Sequence, residues 1–144
     1  MPDIYIAAYD GSETSRRTVL FAAERAQLAQ AQLHLVYILE WSPYSFLTQE
    51  ELAERHQRRS QEISRATSSI LEPMVQELTA AGHAVSSEVR YGNVAKTINE
   101  IVAEKGAKVV YVAKSNDTSF ASRLLGSVPS MLIQIATVPV VVVP

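Results

Sequence analysis

The chain has 144 residues, which suits one domain with one hydrophobic core, and we predict a single domain over residues 1–144. Hydrophobic residues make up 47% and charged residues 19%, a balance that argues against intrinsic disorder. The formal net charge of −2 gives no electrostatic reason to expect nucleic acid or an anionic membrane as a partner. The absence of cysteine excludes disulfides and thiolate metal sites.

Localisation is expected to be cytoplasmic. The first residues, Met1-Pro2-Asp3, lack the basic and then apolar regions of a secretory signal. No apolar run approaches the roughly 20 residues that a membrane helix needs.

The first predicted elements are a strand, a helix and a second strand. Residues 4–9 form an apolar run that ends in the turn residues Asp10-Gly11-Ser12. Apolar residues at helical spacing predict a helix over residues 14–31, for which Ser12 is a suitable N-cap. Residues 33–39 are nearly all apolar and predict the second strand.

Residues 48–81 predict one long amphipathic helix with a charged outer face. We expect Pro73 to kink this helix, because proline removes one intrahelical donor, and Gly82 to end it. The residues predicted to form its buried face are Leu52, His56, Ile63, Ala66, Ile70, Met74 and Leu78.

The second half of the chain predicts three strands and two helices. Apolar and polar residues alternate over residues 85–91, which indicates a strand near a sheet edge with one exposed side. Asn93 can cap a following helix that ends at Gly106, and residues 109–113 predict a central strand. A helix over residues 127–136, indicated by the spacing of Met131, Leu132 and Ile135, precedes a last apolar strand.

Strands that alternate with helices in this way predict an α/β fold with an open, doubly wound parallel sheet and helices on both faces. Ligands of such sheets bind outside the carboxyl ends of the strands. Two strand ends carry suitable residues: 9–12 after the first strand, and 113–127 after the fourth.

Several motifs together resemble the universal stress protein family. They are Asp10-Gly11-Ser12, residues 33–37 of the second strand, Tyr91-Gly92-Asn93, residues 123–127 (Arg-Leu-Leu-Gly-Ser) and the terminal residues 138–142. Each motif is weak alone, but their order and spacing cover essentially the whole chain. The resemblance implies a five-stranded parallel sheet of order 3-2-1-4-5, like that of adenine nucleotide alpha hydrolases, and a homodimer formed through the last strand, residues 138–143.

The resemblance also implies that the chain binds an adenine nucleotide, ATP or AMP, with or without magnesium. Binding members carry a loop of Gly, two residues, Gly, nine residues, Gly, then Ser or Thr. That pattern falls here on Ala113, Asn116, Gly126 and Ser127, so the spacing is kept and the first two glycines are replaced. The expected nucleotide-site residues are Ala8, Tyr9, Asp10, Val36, Tyr37, Ile38, Ala113, Lys114, Ser115, Asn116, Arg123, Gly126, Ser127 and Val128.

The two replaced glycines bear on affinity. Ala113 is tolerable if its φ is negative, and asparagine is the best substitute for glycine in a left-handed conformation. A strained non-glycine residue costs about 1–3 kcal/mol, and about 1.4 kcal/mol is a factor of ten in affinity. We therefore expect binding to be weakened or altered, unless contacts from residues such as Lys114 compensate.

Other interpretations stay open. Asp10-Gly11-Ser12 could be only a turn, and Ser127 could be only a helix cap. An arginine at a position like that of Arg123 is usually solvated or ion-paired. The aromatic residues Trp41, Tyr44 and Phe46 would form a lid over the end of the second strand, the edge of the core or a partner contact. The whole chain could be a stress protein that has lost nucleotide binding and acts as a dimeric interaction module.

Catalysis and metal binding find little support. No nucleotide hydrolase or nucleophile motif is present, so slow ATP hydrolysis would have no assignable catalytic residue. His34, His56 and His83 lie on different predicted elements without a carboxylate or second histidine at ligand spacing, so no metal site is predicted.

Overall fold

The computed structural model describes residues 1–40, 48–114 and 127–144, and its core is a five-stranded parallel sheet. The strands are β1 (Ile4–Ala8), β2 (Gln32–Glu40), β3 (Val85–Gly92), β4 (Val109–Ala113) and β5 (Val140–Val143). Their spatial order is β3-β2-β1-β4-β5, and every neighbouring pair is parallel. The predicted α/β fold and its strand order are thereby confirmed.

Helices cover both faces of the sheet. Those in the described ranges are α1 (Glu13–Leu28), α2 (Gln49–Ala66), a π-helical segment (Thr67–Leu71), α3 (Glu72–Ala80), α4 (Val94–Lys105) and α5 (Val128–Ile135). Ser12, Asn93 and Ser127 each accept a hydrogen bond from the backbone N–H three residues further on, which confirms all three predicted N-caps. None of these helices is long and apolar enough to cross a membrane.

Two hydrophobic cores lie on opposite faces of the sheet because successive strand residues point in opposite directions. Ala7 and Leu35 pack with α1 and α3 on one face, and Ile6 and Val36 pack with α4 and α5 on the other. The inner strands are apolar on both sides for this reason, as expected of a doubly wound sheet.

The predicted long helix is interrupted by the π-helical segment just before Pro73. The backbone N–H of Glu72 donates to the carbonyl of Thr67, five residues earlier, and Pro73 lies in the first turn of α3. Proline is tolerated in a first turn because its missing donor has no intrahelical partner there. The wider π turn adds one residue to the buried spacing, so that Leu71 is buried in place of the predicted Ile70.

The first half of the predicted buried face was wrong. Leu52 is 50% exposed and His56 is also exposed, whereas Ala66, Met74 and Leu78 are buried as predicted. The periodicity of α2 is real, but the helix meets the sheet at edge strand β3, where Tyr91 donates to Glu62 and contacts Arg59.

Helix α5 buries one of the three apolar residues whose spacing predicts it. Leu132 is completely buried, but Met131 is 39% and Ile135 is 44% exposed. The helix packs on α4 and β5, and Ile133 is 61% exposed.

Strand β3 is an edge strand as predicted, but its polar side is engaged with the protein. His34 of β2 is 3% exposed, and its Nδ1 and Nε2 atoms lie 2.7 Å from Ser86 Oγ and 2.6 Å from Glu88 Oε2. Arg90 donates to Glu88 and reaches Glu104 of α4 with both terminal nitrogens. Sequence spacing could not reveal this carboxylate, because the pairing of β2 with β3 brings it to His34.

The buried pair predicts a loss of stability in acid. Burial lowers the pKa of His34 below its usual 6.5, and although burial alone raises the pKa of Glu88, hydrogen bonds from His34 and Arg90 hold it below 4.5. In both cases the unfolded chain binds protons more readily, so stability is greatest above about pH 6.5 and falls as the pH falls below it. Urea unfolding at fixed protein concentration between pH 7.5 and 5 measures this.

His34→Gln is the matched variant, because glutamine keeps hydrogen-bonding groups and does not titrate in this range. We expect a shallower fall in the free energy of unfolding of this variant between pH 7 and 5.5. An equal fall in both proteins would contradict the assignment to His34.

Candidate functional site

A cleft of about 510 Å³ opens at the carboxyl ends of β1, β2 and β4. The sheet order places it there, because the crossovers through α1 and α4 lie on opposite faces of the sheet. Its walls are formed by Ala8, Tyr9, Asp10, Ser12, Thr14, Ser15, Val36, Tyr37, Ile38, Leu39, Glu40, Val94, Val112, Ala113, Lys114, Val128 and Pro129.

Asp10 is fixed at the centre of the cleft by the turn that follows β1. Its Oδ1 accepts hydrogen bonds from the Ser12 N–H at 2.9 Å and from Ser15 Oγ at 2.7 Å. Gly11 adopts a φ of 85°, which glycine reaches without steric cost. The turn therefore holds the carboxylate in one orientation at the start of α1.

The electrostatics of the turn keep Asp10 ionised. Burial by itself raises the pKa of the carboxyl, but the hydrogen bonds from Ser12 and Ser15 outweigh it and hold the pKa below 3.8. Burial, with a smaller contribution from the Asp10 charge, raises the pKa of Tyr37 above 10.0, so this phenol stays protonated at neutral pH.

One side of the cleft is apolar. Val36 and Ile38 are 1% and 8% exposed and belong to the core beneath α4. Val94 of α4 packs against the same core and continues this wall, and Leu39 of β2 also lines the cleft. Such a surface suits a flat heterocycle more than a charged group.

The opposite side carries a cation and a helix N-terminus. Lys114 directly follows β4, where its backbone N–H donates to the Val143 carbonyl at 2.8 Å. Val128 and Pro129 form the first turn of α5, which is capped by Ser127. Helix N-termini carry unpaired N–H groups and favour anions.

Ala113 is compatible with this side of the cleft. It is the last residue of β4, and within the described ranges Gln30 alone among non-glycine residues has a positive φ. The replacement of the first loop glycine by Ala113 therefore introduces a methyl group without backbone strain.

Nine of the expected site residues line the cleft: Ala8, Tyr9, Asp10, Val36, Tyr37, Ile38, Ala113, Lys114 and Val128. Ser127 caps α5 beside it. Ser115, Asn116, Arg123 and Gly126 lie outside the described residues, as do Trp41, Tyr44 and Phe46.

Sequence reasoning missed several residues of the cleft wall, notably Ser15, Glu40 and Val94. Ser15 could have been found from its position three residues after the Ser12 cap. Glu40 ends β2 one residue beyond the predicted strand. Metal-binding groupings of three or more His, Asp or Glu side chains are absent from residues 1–40, 48–114 and 127–144.

Comparison with known proteins agrees with this architecture. The model of the universal stress protein family matches residues 3–144, and the chain belongs to that family. Curated relatives named universal stress protein G from Shigella flexneri and Escherichia coli O157:H7 are 32% identical over 111 residues, which are 77% of this chain and 76% of theirs.

Solved structures share the fold at lower identity. Universal stress protein UspA from Lactobacillus plantarum has a TM-score of 0.81 at 19% identity, covering 99% of this chain and 97% of its own. A universal stress protein in complex with cAMP has a TM-score of 0.68 at 20% identity, with coverage of 99% and 97%. A universal stress protein from Archaeoglobus fulgidus in complex with dAMP has a TM-score of 0.60 at 18% identity, with coverage of 100% and 98%.

Removal of the Ser15 hydroxyl tests the geometry of the Asp10 turn. We expect Ser15→Ala to raise the Asp10 pKa and to lower the free energy of unfolding by about 1 kcal/mol, because the carboxylate loses one donor. NMR titration of the carboxyl carbon and urea unfolding measure the two effects. Ser64→Ala, at an exposed position of α2, is the control; an Asp10 pKa that stays the same in Ser15→Ala would contradict the assignment.

Proposed function

We propose that this universal stress protein is a regulatory module that binds an adenine nucleotide, ATP or AMP with or without magnesium, in the cleft described above. The arrangement of the cleft carries the proposal. An ionised Asp10 lies between an apolar wall on β2 and a cationic side formed by Lys114 and the start of α5. These three surfaces complement the sugar, the base and the phosphates of a nucleotide.

Each part of the ligand has residues to receive it. The base lies against Val36 and Ile38, with Tyr37 beside it, while Ala8 and Tyr9 form the floor below the sugar. Asp10 accepts hydrogen bonds from the ribose hydroxyls. Phosphates are held by Lys114 and by the residues assigned to the phosphate loop: Ala113, Ser115, Asn116, Arg123, Gly126, Ser127 and Val128.

Two fold neighbours support the choice of ligand class, since one is a complex with cAMP and another is a complex with dAMP. We further propose that the protein acts in the cytoplasm and that a partner protein distinguishes its loaded and empty states. Release of small molecules from the purified, denatured protein identifies the ligand that it carries.

Replacement of Asp10 tests the site. We expect Asp10→Ala to weaken adenosine and AMP binding about tenfold or more in calorimetry, because the ribose hydroxyls lose a charged acceptor. Asp10→Asn is the control for disruption of the turn, because its amide oxygen can still accept the hydrogen bond from the Ser12 N–H. Equal affinity in Asp10→Ala and the unchanged protein would contradict this role.

Restoring the loop glycines tests how much binding the chain has lost. We expect Ala113→Gly with Asn116→Gly to raise ATP affinity about ten- to a hundredfold and adenosine affinity little, because the loop contacts phosphates. Ala113→Gly alone should have a small effect, since its backbone is unstrained. No gain in the double variant would contradict the assigned loop.

A second candidate function is a dimeric interaction module without a nucleotide, which the two replaced glycines favour. No released nucleotide, together with no heat on titration of ATP and magnesium into both the unchanged protein and the glycine-restored variant, would select this function.

Homodimerisation through residues 138–143 is part of both proposals. Strand β5 lies at the sheet edge beside β4, and Val142 is 44% exposed. Unpaired apolar edges favour pairing with another strand. We expect sedimentation to show a dimer that Val142→Arg converts to a monomer, whereas Leu28→Arg, at an exposed apolar position of α1, leaves it intact. A micromolar monomer before substitution would contradict this.

A further inference from the structure

We propose that Glu40 selects the base of the bound nucleotide by accepting a hydrogen bond from its exocyclic amino group. The inference rests on the proposed nucleotide function and adds a residue that reads the identity of the base. It predicts a preference for adenine over a purine that lacks the amino group.

The charged residues of the cleft favour one orientation of a bound nucleotide. Among the described residues of the cleft walls, the ionisable ones besides two tyrosines are Asp10 after β1, Lys114 after β4 and Glu40 at the end of β2. Strand β1 lies between β2 and β4, so Glu40 and Lys114 are two strand spacings, about 10 Å, apart across the sheet. A phosphate is attracted to the Lys114 side and repelled from the Glu40 side.

The base therefore occupies the Glu40 side, where the apolar wall also lies. Val36 and Ile38 lead to Glu40 on the same face of β2, and Val94 of α4 packs against this core. A purine ring placed on this wall presents an edge to the end of β2, where Glu40 carries its carboxylate.

Glu40 is available for such a contact. It is exposed, and among the described residues nothing forms a hydrogen bond or ion pair with its carboxylate. Its neighbour across the sheet is Gly92, which has no side chain to cover it. A carboxylate accepts hydrogen bonds and never donates them when ionised, so it favours an amino group at this position.

A second cleft of about 580 Å³ begins beyond this position. Glu40 and Val94 belong to both clefts, and the second is otherwise lined by polar residues of β3 and α4, including Lys96, Thr97 and Glu100. The edge of the base thus meets a polar boundary and not the hydrophobic core. Recognition there depends on hydrogen bonding more than on shape.

The test compares ATP with purine riboside triphosphate, which differs from ATP by lacking the amino group. We expect calorimetry to show that the unchanged protein prefers ATP by roughly three- to tenfold. The expected ratio is modest because a hydrogen bond to a solvent-exposed carboxylate contributes little free energy. Glu40→Ala should reduce the preference to less than about twofold, and Glu40→Gln should retain part of it because its amide oxygen still accepts.

Glu100→Ala is the matched control, since it removes the same charge from the second cleft alone. Loss of one negative charge changes the affinity of both triphosphates equally, so the ratio of the two affinities isolates the reading of the base. A ratio near one in the unchanged protein, or an unchanged ratio in Glu40→Ala, would overturn the inference while nucleotide binding stands. Binding of neither triphosphate would overturn the proposed function and this inference together.

Discussion

The reversal of strand order at β1 is the constraint on which the rest of the molecule depends. The chain leaves β1 through α1 on one face of the sheet and enters β4 through α4 on the other face. Because right-handed crossovers place those helices on opposite sides, a cleft opens at the carboxyl ends of β1 and β4. The cleft is a consequence of topology, and the residues that follow those strands decide what it can bind.

The Asp10 turn both begins a helix and orients a carboxylate in the cleft. Ser12 caps α1, and its backbone N–H, together with the Ser15 hydroxyl, orders the carboxylate of Asp10. The same hydrogen bonds keep Asp10 charged, so the turn that begins the helix also supplies an oriented acceptor to the cleft. A site built in this way keeps its central charge even where the phosphate loop has changed, which is why we favour altered binding over lost binding.

Strands, caps and strand order could be predicted because their signals are local or follow from the family resemblance. Other features depend on neighbours distant in sequence: Glu88 reaches His34 only when β3 pairs with β2, and Leu71 replaces Ile70 only because a π turn precedes Pro73. Helical periodicity likewise placed Leu52 on the buried face of the long helix, although the residue is 50% exposed. For the site, the family resemblance named cleft residues such as Asp10. It did not name Glu40, which belongs to β2 because it pairs with Gly92 of β3.

The central claim is that one nucleotide lies across the ends of β2, β1 and β4, with its base on β2 and its phosphates on β4. Backbone NMR during titration with AMP tests it most directly. The account predicts shifts concentrated at residues 9–12, 36–40, 113–114 and 127–128, with none at the opposite end of the sheet around His83. Saturating AMP that leaves these amides unmoved, or moves only the opposite end, would contradict it.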